Sequence, residues 1–362
     1  MVKKATKKKK AQKKFIESKA PPIVKKEDMV LLPTGCTYFN LALGGGFKNG
    51  RIINLVGDNS TGKTLIAIEF IAACRKILGN KLKWFYDDVE ARFDYDTKKM
   101  YGFEILSEED KKQSSDMLED FELTFQEKIE GLKHDEYLIY VLDSLDALSS
   151  EAARERYKKR LKAIKDNTKQ EGSFKLEKVK DFGEFFRIRK KDIRDKNILF
   201  LVISQVRSNI GVTFGAKYYR TGGKALDHFA SQIIWLAEAE KIGKTVRGLH
   251  KTLGITTKAR ITKNSVGKPF RDCLIDITFE KPYGIDDVAT NIDYLYRLKT
   301  DSGKMNAASK RKLEWDGEEF TRDELICHIE EFNLEEELIK RVTKDWDEVE
   351  EIISQEHRKG KF

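Results

Sequence analysis

The chain has 362 residues, 40% of them hydrophobic and 36% charged, with a net charge of +9. That length and balance predict a soluble globular protein with a substantial core rather than a disordered or membrane chain. The longest purely apolar run, Ile198–Ile203, falls far short of the roughly 20 residues a bilayer span requires. The four cysteines (Cys36, Cys74, Cys273, Cys327) form no CxxC pair, which excludes a zinc ribbon, argues against a disulfide framework and points to a reducing cytoplasm.

The charge is unevenly spread. Residues 1–14 carry eight lysines and no acid, residues 301–362 sum to −7, and the remaining +8 lies between them. A basic body between a lysine arm and an acidic end suits a polyanionic partner. Taken in chain order, residues 1–27 read as a flexible basic arm that runs past Pro21-Pro22 and holds about one helical turn. From Asp28 onward short β-branched and aromatic runs alternate with longer amphipathic stretches. The predicted strands are Arg51–Val56, Lys83–Tyr86, Tyr137–Leu142, Ile198–Ile203, Gln232–Leu236, Thr256–Thr262 and Cys273–Phe279. Runs of this length separated by helical patterns predict an α/β fold with a mostly parallel sheet flanked by helices, the later and closer runs adding antiparallel strands. After Thr300 no strand pattern is expected: Ser302–Asn306 reads as a linker and residues 307–357 as two or three charged helices. The expected domains are therefore the arm (1–27), an α/β core (28–300) and a small acidic helical C-terminal domain (301–362). That acidic end is expected to compete with a polyanionic partner for the basic body.

Gly57-Asp58-Asn59-Ser60-Thr61-Gly62-Lys63-Thr64 matches GxxxxGK[ST] between a predicted strand and a predicted helix, Leu65–Leu78. Glycines let successive backbone N–H groups curl around phosphates, and the following helix N-terminus adds its dipole. In this pattern Lys63 reaches the β- and γ-phosphates of ATP and the Thr64 hydroxyl takes Mg²⁺. The strand Tyr137–Leu142 ends in Asp143, a carboxylate placed to hold the Mg²⁺ shell. Asp146 follows nearby and reads as a cap or a solvated acid. Phosphoryl transfer to water also needs a group that orients and deprotonates the nucleophile, and Glu90 follows the second strand of this series at the sheet's C-terminal edge, where ligands bind in open α/β sheets. Gln205, at the end of a buried strand, needs a polar partner, and a γ-phosphate is a suitable one.

Several segments resemble the RecA recombinases. Asp88-Val-Glu90-Ala-Arg-Phe-Asp94 is similar to the stretch holding that family's catalytic glutamate. Val202-Ile-Ser-Gln205-Val-Arg207 through Gly215, followed by Thr221-Gly222-Gly223-Lys224, resembles its sensor glutamine and the DNA-binding loop L2. Lys263-Asn264-Ser265 through Lys268-Pro269-Phe270-Arg271 resembles the segment whose lysines reach a neighbouring subunit's nucleotide. Thr34-Gly35 and Leu41–Gly46 with Gly50-Arg51 match the lead-in to the phosphate loop. The similarity spans about residues 30–290 and implies a RecA-like P-loop core. It also implies catalytic roles for Glu90, Lys63 and Gln205, and a nucleotide contact for Lys263. The lysine-rich, divergent form resembles phage versions more than typical bacterial ones, so a bacterial or phage-infected host cytoplasm is expected.

The same resemblance implies a single-strand site at Arg187, Arg207, Ile210, Gly211, Val212, Phe214, Arg220, Gly222, Gly223 and Lys224. There charge would be combined with apolar insertion between bases. The implied function is an ATP-dependent recombinase that forms a helical filament on single-stranded DNA and exchanges it with homologous duplex, hydrolysing ATP. A RecA-like mediator paralogue and a ring-forming ATPase or helicase are the alternatives. Three departures stand out. A basic stretch from Arg154 to Lys180 replaces a short acidic loop, and Thr97 stands near the place of an adenine-stacking tyrosine, leaving Tyr95 or Tyr101 to substitute. Ser265 replaces one of the paired lysines.

Overall fold

The computed structural model describes residues 30–165, 177–208, 218–220, 223–279 and 283–355. The basic arm and the centre of the expected DNA loop lie outside them. The central sheet contains β3 (Ile52–Gly57), β4 (Leu82–Asp88), β5 (Tyr137–Asp143), β6 (Ile198–Ser208), β7 (Tyr218–Arg220), β8 (Gln232–Val246), β9 (Leu249–Asn264), β10 (Asp272–Thr278) and β11 (Gly284–Ile285). A short pair, β1 (Leu31–Leu32) with β2 (Phe47–Lys48), precedes it. The strand order is β11-β10-β9-β8-β3-β6-β5-β4, with β7 paired to β6 off this path. Neighbours from β8 through β3, β6 and β5 to β4 are parallel, and β9, β10 and β11 join antiparallel. All seven predicted strands are present.

Both faces of the parallel sheet are buried, which explains why these strands read as continuous apolar runs. On β6, Leu199, Leu201 and Ile203 enter one core and Ile198, Phe200 and Val202 the other. The first core packs the helix Lys63–Leu78 through Ile66, Phe70 and Ile71. The second packs Phe121 and Phe125 of the helix Leu118–Glu130 with Phe182, Phe185 and Phe186 of the helix Glu177–Asp195. Because β3 is central and ends at Gly57, its phosphate loop opens at the same sheet edge where β4, β5 and β6 end.

The C-terminal segment departs from the expected all-helical form. It contains a hairpin of β12 (Leu313–Trp315) and β13 (Glu318–Phe320) before the helices Arg322–Glu331 and Glu335–Gln355. Its core (Leu313, Trp315, Leu325, Ile329, Leu338, Val342) also includes Ile292 and Leu298, which lie before residue 300. Charge joins the two parts as well. Asp293 is held by Arg322 Nη2 at 2.9 Å and by Lys299 at 2.9 Å. Burial works to raise the Asp293 carboxyl, but the hydrogen bond and charge of Arg322, aided by Lys299, outweigh it and hold the group below the usual carboxylate range.

Candidate active site

The phosphate loop takes its shape from a few residues. Gly62 adopts φ +84°, and a Cβ there would meet Ile277 Cδ1 at 2.4 Å. Gly57 is equally confined, because a Cβ would meet Thr61 Oγ1 at 2.5 Å and Leu236 O at 2.8 Å. A side chain at either place would push the loop out of its curl. Asp58 O accepts from Lys63 Nζ at 2.6 Å and from Thr61 Oγ1 at 2.9 Å, and the Asp58 carboxylate accepts from Asn59 N–H at 2.8 Å. Ser60 sits at φ 59°. From the β9 side, Thr257 Oγ1 donates to Thr61 O at 3.2 Å. Lys63 and Thr64 then open the helix. Burial lowers the Lys63 ammonium below the ordinary lysine range even though Asp143, Glu90 and Asp58 pull the other way.

Where a cation is expected, Thr64 Oγ1 donates to Asp143 Oδ2 at 2.7 Å, and the Tyr86 hydroxyl donates to the same oxygen at 2.6 Å. Burial pushes the Asp143 carboxyl up, and these two donors oppose that shift. Glu90 is placed by its loop: its N–H donates to Asp143 O at 3.3 Å, while Asp88 accepts from the N–H groups of Arg92 and Phe93. The Glu90 carboxylate accepts from Gln205 Nε2 at 2.6 Å and from Ser144 Oγ, with Arg92 Nη1 at 3.3 Å. Lys63, Thr64, Glu90, Asp143 and Gln205 line one cleft of about 260 Å³, with Asn59, Ser60 and Tyr95 also on its wall.

The donor set suits a magnesium nucleoside triphosphate. An ammonium, loop N–H groups and a helix N-terminus are matched to phosphate oxygens, while a hydroxyl and a carboxylate are matched to a hard cation that keeps much of its own water. Of the two aromatic candidates for base stacking, Tyr95 lines the cleft, whereas the Tyr101 hydroxyl is bonded to Glu69 Oε1 at 2.7 Å.

Other expected residues lie elsewhere. Lys263 is absent from this cleft: its Nζ donates to Asp227 O at 2.7 Å and His228 O at 3.1 Å, at the end of the helix Gly223–Phe229. Lys268 is paired with Glu350 at 2.8 Å, and Arg271 pairs with the same carboxylate. Arg187 is exposed on the helix Glu177–Asp195. The backbones of Arg207 and Arg220 lie in the β6–β7 ladder, where Arg207 pairs with Tyr219 and Val206 with Arg220. Gly223 and Lys224 open the following helix. Ile210, Gly211, Val212, Phe214 and Gly222 are outside the described residues. Asp146, expected as a cap or a solvated acid, is half-buried, and its Oδ2 accepts from the Gln205 N–H at 2.7 Å. Sequence reasoning missed this contact, the Ser144 hydroxyl and Tyr86. A tyrosine inside a buried strand must find a partner for its hydroxyl, and that was the available signal for the last.

The family model described as the RecA N-terminal domain matches residues 7–154 and 174–286, well over half of the chain. The chain belongs to the RecA family. Protein RecA of Legionella pneumophila (strain Corby) is 25% identical over 291 residues, covering 79% of this chain and 76% of its own. Protein RecA of Malacoplasma penetrans (strain HF-2) is 25% identical over 326 residues and 88% of each chain. A crystal structure of the RadB recombinase is similar at 18% identity and a TM-score of 0.46, covering 70% of this chain and 98% of that one. RecA membership supports a role in recombination, and it accounts for the P-loop core and for the segment containing Glu90.

Proposed function

We propose that this RecA-family chain is a DNA-dependent ATPase that forms filaments on single-stranded DNA and carries out homologous pairing and strand exchange. The observation that carries the reading is the hydrogen bond from Gln205 to Glu90 inside the cleft of Lys63, Thr64 and Asp143. Bound there, Mg²⁺·ATP supplies the γ-phosphoryl group and the cation's positive charge. Lys63 and the loop N–H groups hold the phosphates, while Thr64 and Asp143 hold the cation. Glu90 orients and deprotonates the attacking water. Gln205 Nε2 carries two N–H donors, one of them on Glu90, so a γ-phosphate oxygen that recruits the amide turns it and changes its contact with Glu90. Three residues later β6 ends, and its pairing with β7 forms the base of the loop expected to grip DNA. A change of partner at Gln205 is thereby transmitted along a strand into that loop. Head-to-tail association that does not close would extend the protein along a strand in the cytoplasm of a bacterium or of a phage-infected host.

A mediator paralogue is the second reading, favoured by Ser265 at a paired-lysine position and by the engagement of Lys263 with helix carbonyls. Strand exchange between homologous substrates, with electron microscopy of the same mixtures, separates the readings. ATP-dependent helical filaments and exchange by the protein alone support the proposal. Stimulation of another recombinase without exchange would establish the mediator, and closed rings would establish the ring-forming alternative.

A further inference from the structure

Tyr86 is the one tyrosine of β4, and its side chain is 1% exposed. Its ring stands edge-on to Phe93, with centroids 4.8 Å apart. Its hydroxyl reaches across to the end of β5 and donates to Asp143 Oδ2 at 2.6 Å, the oxygen that also accepts from Thr64 Oγ1. Asp143 is 7% exposed, so an ionised carboxylate there depends on protein donors in place of lost water. Tyr86 does not line the cleft; its ring meets the wall through Phe93 and its hydroxyl through Asp143, so removing the hydroxyl alone isolates the second route.

We propose that Tyr86 is a positioning residue for the divalent cation: its hydroxyl fixes the Asp143 carboxylate in the orientation that receives Mg²⁺, and so sets how much Mg²⁺ nucleotide binding requires. The inference rests on the reading that Mg²⁺·ATP occupies this cleft. Thr64 stands in the first turn of the helix that follows the phosphate loop, and its hydroxyl is itself expected to turn to Mg²⁺. Tyr86 belongs to a buried strand and keeps its donor in place whether or not the cleft is filled. Two donors on one oxygen restrain rotation of the carboxylate, and the strand-borne donor does so independently of Thr64. A tyrosine placed here only to fill the core would do nothing that phenylalanine could not.

The test is Tyr86→Phe, which keeps the ring against Phe93 and removes only the oxygen. Binding of a fluorescent ATP analogue is titrated against Mg²⁺, and separately in a chelator. The Mg²⁺ concentration for half-maximal binding is expected to rise about tenfold, as for loss of a hydrogen bond to a charged group. Binding without the cation is expected to be unchanged. In an Asp143→Asn background the same substitution should add no further Mg²⁺ requirement, because the contact it acts through is already altered. Thermal unfolding of each variant in chelator confirms the fold. An unchanged Mg²⁺ requirement in folded Tyr86→Phe, or a full additional effect in the Asp143→Asn background, overturns the inference. Failure of the wild-type protein to bind the analogue with Mg²⁺ would instead overturn the reading on which it rests.

Discussion

Replacing Gln205 by alanine tests how the two halves of the molecule communicate. In the structure its amide is spent on Glu90, at 2.6 Å, while its backbone N–H is fixed by Asp146 at 2.7 Å. The backbone anchor survives the substitution, so strand β6 should keep its path and only the switchable contact is lost. A hydrogen bond to a charged group is worth about 1.5–3 kcal/mol. A ligand can shift an equilibrium only by its differential affinity for the two states, so this contact can support a difference in DNA affinity of roughly 10- to 150-fold between ATP and ADP states. Fluorescence anisotropy of a labelled single-stranded oligonucleotide, with a non-hydrolysable ATP analogue and then with ADP, reads that ratio directly. In Gln205→Ala the ratio should collapse towards one, while affinity for the nucleotide itself changes little. A variant that keeps the wild-type ratio would refute the idea that this amide couples the cleft to the loop.

Three further outcomes follow from the same geometry. Glu90→Gln keeps an oxygen to accept from Gln205 and Ser144 but cannot take a proton, so phosphate release should fall by about 10²- to 10⁴-fold with nucleotide binding retained; single-turnover measurements with radiolabelled ATP check it. Arg322→Met leaves Asp293 with Lys299 as its remaining cationic partner and should cost about 3 kcal/mol, read by urea unfolding. Burial raises the Glu69 carboxyl, against the hydrogen bonds from Tyr101 and the Ile285 N–H. A raised folded-state value means that the folded protein holds the proton more tightly, so this group's contribution is full below the unfolded value and is lost as pH rises through the folded one. Glu69→Gln lacks this dependence, so its melting temperature relative to wild type should rise between pH 5 and pH 8.

Much of this arrangement was legible before any coordinates. The strands announced themselves because both sheet faces are covered, so that neighbouring positions such as Leu201 and Val202 are apolar for two different cores. The loop Gly57–Thr64 carries its own local geometry; Asp143 ends its strand, Glu90 and Gln205 were singled out with the help of their RecA-like segments, and parallel pairing brings all three to one edge. What escaped depends on contacts between distant segments. Tyr86 meets Asp143 across 57 positions of sequence, and Asp146 meets Gln205 across 59. Lys263, expected at a neighbouring subunit's nucleotide, meets carbonyls at the end of another helix within its own chain, a contact its motif did not announce. The C-terminal hairpin had a signal that went unread: Asp316-Gly317, both at positive φ, is a strong two-residue turn sequence. Strands of three residues rich in glutamate hid it.

The most direct test of the account is binding of single-stranded DNA by the wild-type protein and by Lys63→Ala, each with and without a non-hydrolysable ATP analogue at fixed salt. The account predicts that the analogue strengthens DNA binding by the wild type and leaves the variant at its nucleotide-free affinity. Equal strengthening in both proteins would contradict it.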